Sequence, residues 1–139
     1  MAVLNDLILI QTTEDTDIID ITCQVSEKVL HASIKDGVVI LFIPGSTASL
    51  STIEFEKGAI NDLKKAIERI APVGIEYEHN ERWGDGNGYS HVRAAILGPS
   101  LSLPLQNGKM RLGTWQQIVL LDFDNKPRSR KVVIQIVGE

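Results

Sequence analysis

The densest run of chemically useful side chains is Glu78-His79-Asn80-Glu81-Arg82-Trp83-Gly84-Asp85-Gly86-Asn87-Gly88-Tyr89-Ser90-His91-Val92-Arg93. It holds two of the three histidines, with acids, amides and glycines between them. Imidazole works near neutral pH as acid, base or metal ligand. Asp85 and Asn87 stand two apart, so in an extended loop their side chains point the same way. His91 falls near the start of a predicted helix, where free N–H groups attract anions. The segment reads either as a site built on a loop and a helix start or as a surface loop of turn residues.

Other candidates are scattered. Pro44-Gly45-Ser46-Thr47 follows an apolar run and offers the hydroxyls of Ser46 and Thr47 to a phosphate, or forms a plain turn. It lacks the Gly-Lys-Ser/Thr ending of a nucleotide loop. Glu54, among apolar and hydroxyl neighbours, is either a buried acid with a raised pKa or an exposed edge-strand residue. Trp115 is expected in the core or an interface by its size, and the adjacent Gln116 is compatible with ligand contact. Cys23 is expected to be a buried structural cysteine, and His31 a surface residue. A calcium loop starting at Asp85 is excluded, because its twelfth position is Ile96 where a bidentate acid is needed. No Ser–His–Asp order, Cys–His pair, His-Glu-x-x-His motif or dinucleotide fingerprint occurs.

The elements that must carry these residues follow from patterning. Residues 3–10 and 17–21 read as extended, and Thr22–Ser33 as a helix with Thr22 as N-cap. The β-branched run Val38–Ile43 reads as a buried strand, and Ala48–Phe55 as another. Lys57–Ile70 is the clearest helix: Ile60, Leu63, Ile67 and Ile70 share one face, and Pro72 ends it. Ile75–Glu78 reads as extended, Arg82–Tyr89 as a glycine-rich loop, and Ser90–Leu97 as a short helix capped by Ser90 and stopped by Gly98. Strands are then expected over 101–105, 109–112, 115–123 and 131–137, with Asn107-Gly108 as a hairpin turn. Strands with two or three helices and a hairpin-rich C-terminal half indicate an α+β fold with a large, mostly antiparallel β layer.

Composition narrows the class. At 139 residues the chain is one domain's worth, read as a single domain over 1–139. Hydrophobic residues are 43% and charged residues 23%, the balance of an ordinary globular protein. The longest apolar stretch, Val38–Pro44, is far short of a membrane helix. One cysteine excludes an intrachain disulfide and a multi-cysteine metal site. With an acid at Asp6 and no basic leader, the expected compartment is the cytoplasm. Net charge is −4, yet residues 1–62 carry −7 and residues 63–139 carry +3. An acidic chain is a poor nucleic-acid binder. The cluster Lys126, Arg128, Arg130 and Lys131 still suits a small phosphorylated molecule, or is a solvated loop and strand face.

Taken in order and spacing, several phrases carry a resemblance. They are Tyr77-x-His79-Asn80, Asp85-Gly-Asn87-Gly-x-Ser-His91-x-Arg-Ala and Leu97-Gly98-Pro-Ser, then Leu103-Pro-Leu, Gly108-Lys-Met-Arg-Leu-Gly113-Thr-Trp115-Gln116 and Asp122-Phe-Asp-x-x-x-Arg128-x-Arg-x-Val. Over nearly the whole chain they resemble the YjbQ-like family, which carries the name secondary thiamine-phosphate synthase. The resemblance implies a compact α+β domain, a homotrimer, and a reaction joining a pyrimidine diphosphate to a thiazole phosphate with release of pyrophosphate. It implies His91, Asp85 and Asn87 as catalytic candidates. It further implies Glu54, Trp115 and Gln116 around the substrate, with Arg128 on a phosphate; the hydroxyls of Ser46 and Thr47 and the charge of Arg93 are read from the residues themselves as further phosphate contacts. Mg²⁺ or another divalent ion is the implied cofactor, with His91, Asp85 and His79 as its candidate ligands. Many members have His-Thr-Thr-Ala where this chain has Gly45-Ser46-Thr47-Ala48, so one histidine is missing. The resemblance thus leaves two readings, a weak synthase or a non-catalytic trimer that binds a phosphorylated metabolite.

Overall fold

The computed structural model describes residues 1–14 and 16–139; Asp15, within the polar run after the first strand, lies outside them. Eight strands and four helices follow in the order β1 (Ala2–Gln11), β2 (Asp17–Asp20), α1 (Thr22–Ala32), β3 (Gly37–Phe42), β4 (Ala48–Ile53), α2 (Lys57–Ile70), α3 (Glu78–Trp83), α4 (Gly88–Leu97), β5 (Ser100–Gln106), β6 (Lys109–Met110), β7 (Gln117–Asp122) and β8 (Ser129–Gly138). They form a five-stranded sheet, β1-β8-β3-β5-β6, and a three-stranded sheet, β2-β7-β4. Every pairing is antiparallel, which makes this the expected α+β domain.

The two sheets share one core. Val39, Leu41, Ile134 and Ile136 from the larger sheet meet Leu50, Ile118 and Leu120 from the smaller one, with Val25 and Val29 of α1 in the same cluster. The opposite face of β7 presents Val119 and Leu121 to Ile67 of α2 and Ala94 of α4. β7 is therefore covered on both sides, which explains its uninterrupted apolar run Ile118–Leu121. Among the described residues no helix is long and apolar enough to cross a membrane.

Local chemistry departs from expectation in four places. Thr22 is the first residue of α1 rather than its cap. Its Oγ1 donates to Asp20 Oδ1 at 2.6 Å and accepts from the Ile118 N–H at 2.8 Å, so it ties α1 to β2 and β7. Residues 75–77 are not a strand, and Glu78–Trp83 coils into α3, a fourth helix. Asn87, not Ser90, stands at the start of α4; Ser90 lies inside it and donates to the Asn87 carbonyl at 2.6 Å. Cys23 is exposed, because α1 turns Val25 and Val29 inward and Cys23 outward. The Asn107-Gly108 turn forms as expected, with φ of 52° and 74° between β5 and β6.

Candidate functional site

The paired strands β4 and β7 have two ends, and the candidate residues divide between them. Ala48 faces Asp122 at one end and Ile53 faces Gln117 at the other. Five residues at about 3.3 Å each separate the ends by roughly 17 Å.

At the Asp122 end the polar side chains form one line of contacts. Arg130 donates to Asp122 Oδ1 through Nε at 2.9 Å and Nη2 at 2.6 Å. Nη2 also reaches Thr47 Oγ1 at 2.7 Å, and that hydroxyl donates to Asp124 Oδ2 at 3.1 Å. Arg128 places Nε and Nη2 on the same Asp124 oxygen, each at 2.9 Å. The Asn87 carboxamide lies between two carboxylates. One orientation puts its nitrogen 3.5 Å from Asp124 Oδ1; the other puts it 2.9 Å and 3.2 Å from the Asp85 oxygens, and the distances favour the second. Asp85 Oδ1 stands 3.4 Å from His79 Nδ1, and the His79 and His91 rings are 4.3 Å apart between centroids.

Elements fix this line from several directions. Ser49, buried in β4, donates to the Ala94 carbonyl at 3.0 Å and seats α4, and so His91, against the small sheet. Asn80 of α3 accepts the Gly88 N–H at 2.8 Å, which closes the loop between α3 and α4. Gly84 and Gly86 take φ of 68° and 70° within that loop, the left-handed region a glycine enters without strain. Asn125 donates from Nδ2 to the Asp85 carbonyl at 2.9 Å and pins the loop to the end of β7.

The electrostatics are uneven. Burial pushes the Asp122 carboxyl above its ordinary pKa despite Arg130. Burial acts the same way on Asp124, but the Asn125 N–H, the Thr47 hydroxyl and Arg128 outweigh it and hold Asp124 below the ordinary value. Two buried polar atoms close to Asp85, His79 Nδ1 and Asn125 Oδ1, have no hydrogen-bond partner among the described residues. Unsatisfied buried groups mark a place for a ligand or water.

The structure thus brings together Thr47, Asp85, Asn87, His79, His91 and Arg128, and leaves the exposed Ser46 beside Thr47. It separates the rest. Glu54 and Trp115 line a cleft at the far end with Asp20, Phe55 and Glu56. Glu54 is exposed, and Trp115 is 73% exposed rather than part of the core. Gln116 bonds locally, to the Gly113 N–H at 3.0 Å and Thr52 Oγ1 at 2.9 Å. Arg93 belongs to the scaffold. It is buried, and its Nε, Nη1 and Nη2 go to the Ala71 carbonyl, Thr16 Oγ1 and Glu68 Oε2 at 2.9, 3.0 and 2.6 Å.

The expected metal centre fits poorly. Among the described residues no three of His, Cys, Asp and Glu converge on a point that could hold an ion. His79 Nδ1 faces Asp85, and the two imidazoles lie tilted by 40° against one another. In the sequence, Asp124 and Arg130 stand in a family phrase and Asn125 in a turn, with no site role assigned to any of the three. The available signal was alternation: Asp122 and Asp124, like Arg128 and Arg130, are two apart at adjoining strand ends.

With that geometry in view, likeness to other proteins is decisive for the family. The family described as "UPF0047 protein YjbQ-like" matches residues 6–139. The chain belongs to that family. A UPF0047 protein of Archaeoglobus fulgidus is 37% identical over 91% of this chain and 95% of its own. The UPF0047 protein YugU of Bacillus subtilis is 32% identical over 93% of this chain and 96% of its own. Among solved structures, a YbjQ-like protein of unknown function from Sulfolobus solfataricus superposes with a TM-score of 0.95 at 32% identity, covering 99% of both chains. The fold and the family are as the sequence phrases implied.

Proposed function

We propose that this family member binds a phosphorylated small molecule at the Asp122 end of the β4–β7 pair and transfers a group on it. The reaction is the one the resemblance implies, union of a pyrimidine diphosphate with a thiazole phosphate. The observation that carries this reading is the cluster that sets Arg128 on Asp124, the Asn87 amide between Asp124 and Asp85, and His79 3.4 Å from Asp85 against the His91 ring. It sets a cation and two imidazoles beside unsatisfied polar atoms.

The thiazole nitrogen attacks the pyrimidine methylene carbon, a C–N bond forms, and the C–O bond to the diphosphate breaks with its electron pair leaving on oxygen. That chemistry needs charge neutralisation on the leaving group more than a general base. Arg128 supplies positive charge and Ser46 a hydroxyl. His91 or His79 donates a proton to the departing oxygen, with Asp85 orienting His79. No step uses a protein-held metal, because the donors do not converge on one. The free, exposed thiol of Cys23 is suited to a reducing compartment, and we assign the protein to the cytoplasm. Copies assemble as a trimer in this reading.

A synthase assay with both substrates tests it. His91→Ala and Asp85→Ala are each expected to lower turnover at least about tenfold, some 1.4 kcal/mol of barrier. Wild-type turnover in both variants sinks the mechanism. A second reading, a binding protein without turnover, is favoured by the weak His79–Asp85 pairing at 3.4 Å. A thermal shift with a phosphorylated metabolite but no product supports that one.

A further inference from the structure

We infer that Arg130 is the buried anchor of a phosphate-oxyanion subsite at the Gly45–Thr47 turn. The inference rests on the reading of this end as a phosphate-binding site and adds a residue that reading did not use. The Arg130 side chain is only 9% exposed. In a fork-to-fork pair, a guanidinium spreads two N–H groups over both carboxylate oxygens. Here Nε and Nη2 both go to Asp122 Oδ1, and Asp122 Oδ2 has no hydrogen-bond partner among the described residues. The guanidinium is therefore turned, and Nη1 points away from the pair toward Gly45. Nη1 has no hydrogen bond among the described residues. Nη1 is not one of the buried polar atoms without a partner, so it opens to solvent and can take an acceptor that arrives from there.

Gly45 keeps the space in front of Nη1 open. A Cβ at that position would lie 3.3 Å from Nη1, and the φ of +118° belongs to glycine. On the other side of Thr47, Arg128 spends Nε and Nη2 on Asp124 and leaves its own Nη1 unused; its side chain is 42% exposed. Asp122 and Asp124 thus hold two guanidinium groups from behind, bridged by the Thr47 hydroxyl. Two free Nη1 groups and the Ser46 hydroxyl supply more donors than the two oxygens of a carboxylate need. They suit the three terminal oxygens of a phosphate monoester or of a diphosphate end.

The test uses inorganic phosphate on the full-length chain, with guanidinium signals followed by NMR. Phosphate is expected to move the Arg130 signal saturably, with Arg128 following. Gly45→Ala, which crowds Nη1, is expected to weaken phosphate binding at least tenfold, and acetate to bind at least tenfold more weakly than phosphate. An unmoved Arg130 signal, movement of Arg128 alone, or equal affinity for acetate overturns the subsite. If Gly45→Ala does not fold, the wild-type titration decides alone. The two readings fail separately: movement at Arg130 without turnover removes the transfer reaction and keeps the subsite. Turnover with an unmoved Arg130 keeps the reaction and removes the subsite.

Discussion

Asp122 ends β7 and Asp124 stands two residues beyond it, yet their environments push them opposite ways, which makes them separable by pH. Asp124 is held below its ordinary pKa, so its contribution to stability is full above that ordinary value and is lost as pH falls through the lowered one. Asp122 is raised by burial, so its contribution is present below the ordinary value and lost as pH rises through the raised one. Thermal midpoints measured from about pH 2 to about pH 6 should therefore show an acid limb that Asp124→Asn flattens. An unchanged limb in that variant would place the acid sensitivity elsewhere. Arg93 gives a second prediction at this scale. Three hydrogen bonds at about 0.5–1.5 kcal/mol each put the cost of Arg93→Ala at roughly 2–4 kcal/mol, read from the urea midpoint. Arg93→Lys recovers only part, since a single ammonium on a flexible stem cannot span Ala71, Thr16 and Glu68 together. Loss of activity at unchanged stability in Arg93→Ala would instead return this residue to the substrate.

At the scale of elements, α3 and the loop to α4 position the histidines, and Asn80 is the clasp between them. Asn80→Ala removes the acceptor for the Gly88 N–H. We expect a loss of stability of about 1–2 kcal/mol and a larger, at least tenfold, fall in turnover, because His79 and His91 ride on the two helices the clasp joins. Equal turnover with normal stability would mean the loop is fixed by Asn125 alone. These elements were unevenly legible from sequence. α2 was readable to its residue limits because four apolar positions share a face over fourteen residues. The six-residue α3 has too few turns to show a period and buries none of its residues, so it passed for loop. Val38–Ile43 was readable as a strand from β-branching alone. The split of the candidates was not readable. Nothing local says that Thr47 and Glu54, seven residues apart, sit at opposite ends of one strand pair while Thr47 and Asp124 meet. Strand pairing over more than seventy residues decides it. Cys23 was misplaced, and Trp115 lies outside the chain's core, for a related reason: burial preferences of a residue type are averages, and the register of a particular helix or loop overrides them.

At the scale of the whole molecule, one face of the large sheet carries exposed apolar side chains among the described residues. The small sheet is covered on both sides, but the large sheet is packed on one face only. Alternation sends Val3, Leu7 and Leu9 of β1, Val38, Ile40 and Phe42 of β3, and Val133 and Val137 of β8 to the other face. An antiparallel sheet with a solvated face normally carries polar residues there. Here Leu9 is 63% exposed and Val3 57%, and Leu7 and Phe42 are exposed beside them. β1 is also an edge strand ten residues long, with a backbone row that no other strand pairs among the described residues, the Leu7 N–H being taken by the Asp6 carboxylate at 2.7 Å. Other copies of this chain are the partners always present in proportion to it, and the resemblance implies three copies. Light scattering on the purified chain at micromolar concentration is therefore expected to give three times the chain mass. Leu7→Glu with Leu9→Lys should convert it to monomer, because both charges would then be buried at the contact without partners. The wild-type thermal midpoint should rise with protein concentration, and the variant's should not. A monomeric wild type would overturn assembly through this face. With a trimeric wild type, the Asp122 end, whose named residues come from one chain, is expected to bind phosphate equally well in the trimer and in the monomeric variant.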